Sequence, residues 1–407
     1  MRGTQERAAP ASAQALSEIL ARCDRTGEKV VIVGGNTLAG MGFPPERSDL
    51  TLLTTELAGI VANERADLTL AARAGTPIAS IANLLAGQDQ FLPFDAPQPQ
   101  CATVGGTLAA GWLGPRRHLY GRLRDYLIGS TIVLADGTVA RAGGMVVKNV
   151  SGYDMSRLYI GSFGTLGVLV QANFKTLPLP QHTRCFLAPL PEETRERTCA
   201  QLATLPIRPA AAFWIQGFGN AVDGEDGPEG RVLVMLEGSS ALLERATRDL
   251  RSALGRAGVP ETHVIDAGAR ESFERVIDAY LTCLGERSIT YRIYPAVEES
   301  ERRAMSLHEL ARRFELRTDT ILDVMNGDVV LRVSDLNTRA LGAKIESFDD
   351  ALHELEPNAQ VVAGKHPHRI YLRVWGQPPP AIERMRALKE IFDPKRTLNP
   401  GRFVGGI

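Results

Sequence analysis

Thirteen of the 39 glycines in this 407-residue chain fall between residues 105 and 167, where an even spread would leave about six. Glycine concentrates where backbone must turn with positive φ or where another group must approach it closely. Any fold for this chain must therefore place tight, closely approached backbone in that region. Within it, Val147–Val168 reads VKNVSGYDMSRLYIGSFGTLGV. Four glycines sit there beside Lys148, Asn149, Tyr153, Asp154 and Arg157. A segment built only for packing rarely needs so many polar groups together with so much glycine.

Three more stretches share this character. Val30–Gly42, VVIVGGNTLAGMG, is a short β-branched strand running into Gly34-Gly35, with Asn36 and Thr37 behind. Backbone N–H groups released from a sheet at such a turn can form a concave anion nest. The G-x-G-x-x-G and G-x-x-x-x-G-K-[ST] fingerprints are both absent from it. Ala102–Gly114, ATVGGTLAAGWLG, sets Thr103 against Gly105-Gly106 and keeps bulk low at Ala109, Ala110 and Gly111, a surface for a flat or elongated ligand. Leu398–Arg402, LNPGR, offers the Asn399 amide. Taken singly, these stretches can also be read as turns or close packing contacts.

Composition narrows the classes. The chain is 44% hydrophobic and 23% charged, an ordinary globular profile. Its length suits two or three domains at roughly 150 residues each. With 46 basic and 47 acidic residues the net charge is -1, which gives no global reason for nucleic-acid binding. A local cluster of Arg116, Arg117, His118, Arg122 and Arg124 is either a partner surface or a helix-end cover. The five cysteines are scattered without a CxxC pair, which argues against a disulfide framework or a structural metal site and fits a reducing compartment. The N-terminus lacks an apolar signal core, and no apolar run reaches the ~18 residues of a membrane span. The expected location is cytoplasmic, or peripheral at the inner membrane through partners.

Periodicity gives a coarse element map. A frayed tail over 1–10 precedes an amphipathic helix over 11–22. Strands follow at Val30–Val33, Leu50–Leu53 and Leu68–Ala71, then a helix at Pro77–Leu85. A proline-rich connector at 92–100 leads to a short helix at Gly105–Ala110. Asp136-Gly137 between two apolar runs predicts a hairpin of Ile128–Ala135 with Thr138–Ala142. Gly167–Thr176 reads as a strand. Beyond Pro180 come helices at Pro191–Leu202 and Ser240–Arg256. Strands are expected there at Ala212–Gln216, Arg231–Glu237, Ile289–Tyr294, Asp328–Val333 and Arg369–Val374, with a loop tip at 219–231. Such a set suits an antiparallel sheet with helices on one face. A last helix, Ile382–Ile391, precedes the turn-rich tail.

The order of the glycine motifs is more specific than any one of them. A strand into GGNT, then ATVGG, an ADG hairpin, KNVSGYD…GSFGTLGV and a distant DPKRTLNPGRF resembles the vanillyl-alcohol-oxidase-type, or PCMH-type, FAD-binding domain. The resemblance covers about 25–180 and the last ~25 residues. GGNTLAGMG, GPRRHLYG, GGMVVKNVSGYD and GSFGTLGV are similar to the E-type FAD-binding subunits of bacterial glycolate oxidases. The resemblance implies an α+β fold. A two-subdomain FAD-binding domain (11–180) precedes an antiparallel-sheet α+β cap (181–375), and a C-terminal segment (376–407) returns to the first domain. It implies FAD held by Gly34, Gly35, Asn36, Thr37 and Leu38 along the diphosphate. Thr103, Gly105, Gly106, Ala109 and Gly111 form the second stretch. Gly161, Ser162, Gly164, Gly167 and Val168 lie near the flavin and adenine, and Asn399 near the flavin pyrimidine edge. Asn36 stands where some members carry a tethering histidine, so noncovalent FAD is expected.

The implied activity is oxidation of glycolate or a similar small 2-hydroxy acid to the 2-oxo acid. Electrons would pass to the D-type sister flavoprotein of a glycolate oxidase or to an iron–sulfur subunit. An alternative is a subunit that keeps FAD or only the fold and serves assembly. The HxGDGNxH metal motif of dehydrogenase relatives is missing, Asn326-Gly327-Asp328 being its nearest remnant, and no metal site is expected. His366 and His368 lie at alternate positions of GKHPHR. Arg292, Arg332 and Arg373 fall on predicted cap strands, where a carboxylate fork or a solvent- or partner-facing role would explain them. Lys148, Tyr153, Arg292 and His366 are the weak candidates for substrate chemistry.

Overall fold

The computed structural model describes residues 6–146, 153–218, 230–259, 262–266, 268–281, 287–335, 343–364 and 371–407. The expected loop tip at 219–231 lies almost wholly outside them. The tail expected to fray forms a strand, β1 (Glu6–Ala8), which pairs in parallel with β3 (Leu50–Leu53). Its sequence, Glu-Arg-Ala, carries no strand signal; the pairing comes from the free edge of β3. On the other edge of β3 lies β2 (Val30–Val33), Val30 opposite Leu50. Helix α1 (Ala13–Thr26) begins where the Ser12 hydroxyl accepts from the Ala15 N–H and ends at left-handed Gly27. Leu16, Leu20 and Cys23, spaced four and three apart, form its buried stripe. They pack with Val30, Leu50, Leu52 and Leu398.

A five-stranded antiparallel sheet stands in the same unit. It runs β4 (Ile60–Glu64), β5 (Thr69–Arg73), β9 (Val168–Lys175), β7 (Leu127–Val133), β8 (Val139–Gly143). The expected Asp-Gly hairpin joins β7 to β8, with Gly137 at φ 88. Helices α2 (Ile78–Ala86) and α3 (Val104–Ala110) follow β5, and short β6 (Gln90–Phe91) pairs with β10 (Leu177–Pro178). This unit comprises Met1–Leu113, Arg122–Leu179 and Pro378–Ile407.

The C-terminal part is fastened by one buried charge pair. Lys389, on α10 (Ile382–Phe392), is 2% exposed. Its ammonium donates to the Asp393 carboxylate (2.7 Å), the Thr165 carbonyl (2.7 Å) and the Leu398 carbonyl (3.1 Å). Asp393 also accepts from the Thr397 and Leu398 N–H groups. Burial pulls the Lys389 pKa down, and Asp393 pulls it back. Replacing Lys389 by Met leaves an uncompensated buried carboxylate. It is expected to cost about 3–5 kcal/mol in urea denaturation of this unit; a loss under about 1 kcal/mol would contradict that reading.

The second unit, Gly114–Gly121 with Pro180–Gln377, holds one eight-stranded sheet in which every pairing is antiparallel. Its strands are β11 (His182–Pro189), β12 (Ala211–Gln216), β13 (Arg231–Gly238), β14 (His263–Ile265), β15 (Ser288–Ile293), β16 (Arg317–Asp323), β17 (Val329–Ser334) and β18 (Gln360–Gly364). Their order is β14-β11-β13-β12-β16-β17-β15-β18. Among the described residues, helices α5 (Glu192–Ala203), α6 (Ser240–Ala257), α7 (Ala269–Ala279), α8 (Ser300–Arg313) and α9 (Ala343–Leu355) accompany them. The α4 turn (Arg117–Tyr120) belongs here although its chain neighbours do not. Of the strand expected at Arg369–Val374, residues 369–370 lie outside the described residues and 371–374 are not in strand. Residues 371–374 form a turn, and the edge strand lies earlier, at Gln360–Gly364.

Arg116 and Arg117 are not part of a solvated patch either. Arg116 is 7% exposed and pairs with Glu237 at 3.1 Å. Arg117 reaches Asp328 at 2.6 Å and Asp323 at 3.9 Å. Asp323 is fully buried, and burial together with the neighbouring Asp328 carboxylate pushes its pKa up to about 7 against the pull of Arg117. A carboxyl raised in the folded state stabilises fully below its unfolded pKa of about 4, and that stability is lost as pH rises through about 7. Urea midpoints for this unit should therefore fall between pH 5 and 8, and Asp323→Asn should flatten that fall. An unchanged slope in Asp323→Asn would refute the assignment.

Candidate functional site

Where β2 ends, the chain turns into Gly34–Leu38 with Asn36 at φ 60. Among the described residues, the backbone N–H groups of Gly35, Asn36, Thr37 and Leu38 have no partner. Four successive unpaired N–H groups on a concave loop hold a partial positive charge, and an anion is what satisfies them. The loop forms one wall of a cleft of about 750 Å³, counting the space open to solvent. The opposite walls are the start of α3 and the loop before β9. Thr103 caps α3 by accepting from the Gly106 N–H at 3.2 Å.

The cleft brings together most of the residues singled out from sequence. Gly34, Gly35, Asn36, Thr37, Leu38, Thr103, Gly105, Gly106, Ala109, Gly164, Gly167, Val168 and Asn399 all line it. Gly111, Gly161 and Ser162 do not. A Cβ on Gly111 would lie 2.8 Å from the Gly161 Cα, so those two glycines let α3 end against the 161 loop. The buried Ser162 hydroxyl donates to the Tyr159 carbonyl.

Asn399 uses both ends of its amide inside the chain. Its Oδ1 accepts from the Ile32 N–H (2.9 Å), and its Nδ2 donates to the Phe163 carbonyl (2.6 Å). It stitches the end of β2 to the loop before β9.

Gly34 and Gly35 also have a structural reason. A Cβ on Gly34 would sit 2.5 Å from the Thr103 hydroxyl, and one on Gly35 only 1.6 Å from the Cys101 carbonyl oxygen. The 34–35 turn lies directly on the 101–103 backbone, so these glycines are required before any ligand enters.

The cleft has lining residues that sequence reasoning passed over, chiefly Ile32, Thr54, Phe163, Leu169 and Arg402. Phe163, at φ 53, stacks on Phe403 with ring centroids 5.6 Å apart. Arg402 lies inside the LNPGR motif, where the asparagine drew the attention. Its place three residues after Asn399, already singled out for the cofactor, was the signal that could have found it.

The weak candidates for substrate chemistry are not brought into this cleft. Lys148 and His366 lie outside the described residues. Tyr153 is 94% exposed. Arg292 lies on β15 and is 1% exposed. Its guanidinium grips one Asp328 oxygen through Nε (3.1 Å) and Nη2 (2.5 Å) and lies over the Tyr280 and Tyr294 rings. Arg332, on β17, pairs with Asp319. Arg373, expected on a strand, lies in the turn after 370 and pairs with Asp350.

Comparison with known proteins finds relatives along nearly the whole chain. Residues 5–143 match the family profile described as FAD binding domain. Over 394 residues the chain is 28% identical to glycolate oxidase subunit GlcE of Escherichia coli (strain K12), covering 96% of this chain and 97% of that protein. It is 27% identical to glycolate oxidase subunit GlcD of Bacillus subtilis (strain 168), covering 97% and 88%. It is 25% identical to a D-lactate dehydrogenase of Archaeoglobus fulgidus, covering 97% and 90%. Among solved structures, p-cresol methylhydroxylase with substrate bound aligns at a TM-score of 0.72 and 15% identity, covering 97% of this chain and 88% of that one. Alkyldihydroxyacetonephosphate synthase aligns at 0.70 and 14%, covering 97% and 75%. Those two likenesses establish the fold, α+β as expected.

Two glycine substitutions separate packing from occupancy. Gly35→Ala should lower the melting temperature of the ligand-free chain by many degrees, because the Cys101 carbonyl cannot move aside. Gly106→Ala meets only the Thr103 hydroxyl, at 3.0 Å, and should leave that temperature within a few degrees. It should weaken cofactor uptake about tenfold, read by flavin fluorescence. Equal uptake by Gly106→Ala and the parent would place the cofactor elsewhere.

Proposed function

We propose that the chain is an FAD-linked oxidoreductase subunit of the 2-hydroxy-acid dehydrogenase type and that it serves a glycolate-oxidase-type complex. In this reading it contributes to oxidation of glycolate, or a similar small 2-hydroxy acid, to the 2-oxo acid. Electrons go on to a GlcD-like flavoprotein and an iron–sulfur partner. What carries the reading is the cleft: four unpaired N–H groups at one end, and small, mostly apolar walls beyond. An elongated cofactor with a central diphosphate and a planar ring meets both requirements.

Gly35, Asn36, Thr37 and Leu38 would hold the diphosphate through their N–H groups. Gly105, Gly106 and Ala109 would leave room for the chain linking it to the ring. Asn399 would hold the two flanking loops at fixed separation. FAD so bound supplies a two-electron acceptor. Among the described residues no histidine or cysteine lines the cleft, which supports noncovalent attachment. Among the described residues no helix is long and apolar enough to cross a membrane, and we assign the subunit to the cytoplasm or the inner-membrane face through its partners.

One observation favours a second reading, in which the chain carries FAD but leaves substrate chemistry to a partner. A substrate carboxylate seeking Arg292 would have to displace Asp328 from its guanidinium. Removing one partner of such a buried pair costs roughly 3–5 kcal/mol, more than a small acid gains from one fork. The visible spectrum of the purified chain, with glycolate added anaerobically, tests both readings. Flavin bands that bleach place substrate oxidation in this chain. Bands that persist assign it the accessory role, and a colourless protein that takes up no added FAD overturns both.

A further inference from the structure

Arg402 was assigned no role by the motifs, yet it is built into the cleft. Its chain position is set by a series of fixed contacts. The Lys389–Asp393 pair holds the Thr397-Leu398 backbone, and the Asn399 N–H donates to the Val30 carbonyl at 2.9 Å. Pro400 accepts from the Glu46 N–H, and the Arg402 carbonyl accepts from the Phe43 N–H. The residue that follows this scaffold is therefore held, not mobile. Its guanidinium reaches the carbonyls of Met41 (3.3 Å) and Ala39 (3.5 Å), just past the four unpaired N–H groups. Burial works against its charge and lowers its pKa.

We propose that Arg402 is the charged partner of the diphosphate in this cleft, completing with its guanidinium the anion site that the Gly35–Leu38 backbone begins. The inference rests on the FAD reading above. A nest of N–H groups supplies only partial charges, whereas a diphosphate brings about two negative charges. A guanidinium beside the nest supplies a full positive charge and fork geometry suited to phosphate oxygens. Its bonds to the Ala39 and Met41 carbonyls also brace the far end of the nest. The ligand class recognised is a nucleoside diphosphate, not a flavin ring: the adenosine diphosphate half of FAD.

The test measures binding of FAD, ADP and riboflavin to the stripped full-length chain by fluorescence and calorimetry, for the parent, Arg402→Lys and Arg402→Met. Arg402→Met should lose thirtyfold or more for FAD and a similar factor for ADP, with riboflavin unchanged. Arg402→Lys, which keeps the charge without the fork, should lose about three- to tenfold. Raising salt should weaken FAD binding to the parent and to Arg402→Lys more steeply than to Arg402→Met. Melting temperatures of the ligand-free variants check folding, and if Arg402→Met fails to fold, Arg402→Lys and the parent's salt dependence decide. FAD affinity within twofold of the parent in the folded variants, or a loss as large for riboflavin as for ADP, overturns the proposal. A parent chain that binds neither FAD nor ADP overturns the underlying FAD reading instead.

Discussion

The C-terminal side of the cleft is held by a carboxylate kept out of water. Asp393 is fully buried and accepts from an ammonium and two backbone N–H groups. A carboxylate with three donors tolerates burial; one with fewer does not. The requirement works outward through the fold. It pulls Lys389 inward, and the same ammonium then reaches Thr165 on the loop that lines the cleft. It also sets the Thr397-Leu398 turn, from which Asn399 reaches back to Ile32 and across to Phe163. Three segments more than a hundred residues apart in sequence are joined by these few polar contacts, and the cleft lies where they meet.

The second unit solves a related problem differently. Its sheet buries charge on the strands themselves: Arg292 against Asp328, and Arg332 against Asp319. Replacing such pairs by apolar residues is often neutral for stability, so their presence is weak proof of a stabilising role. What they do is engage both guanidiniums with carboxylates inside the sheet. Arg117, reaching Asp328 from the α4 turn, tightens that commitment.

The part of this architecture legible in sequence was the part encoded locally. Glycine turns, the Asp-Gly hairpin and β-branched runs specified β2, β3, β7, β8 and β9 to within a residue or two. Strands such as β1 and β18 escaped because their residues are ordinary and their pairing is decided by distant edges. The misplaced strand at 369–374 shows the converse. Alternating apolar residues there satisfy a pattern, but the chain turns back over 371–374, and the Val374 carbonyl accepts from the Val361 N–H. At the cleft the glycine positions were legible, but whether packing or a ligand demanded them was not. A ligand approaching Gly35 and a carbonyl packed on Gly35 leave the same letter in the sequence, and only the 1.6 Å clash identifies the second.

That distinction bears on how the cleft evolved its specificity. If glycine at 34 and 35 is demanded by the 101–103 backbone, these residues cannot tune the cofactor; they only make the loop possible. Tuning must come from groups with freedom to change without breaking the turn. A Cβ at Gly106 would meet only the Thr103 hydroxyl, at 3.0 Å, and Arg402 sits on a scaffold that other side chains could share. The backbone supplies an anion site of generic kind, as N–H groups do for any phosphate or carboxylate. Selecting a diphosphate from among anions is then a matter of charge and fork geometry at its edge, and in this cleft that edge is the C-terminal segment.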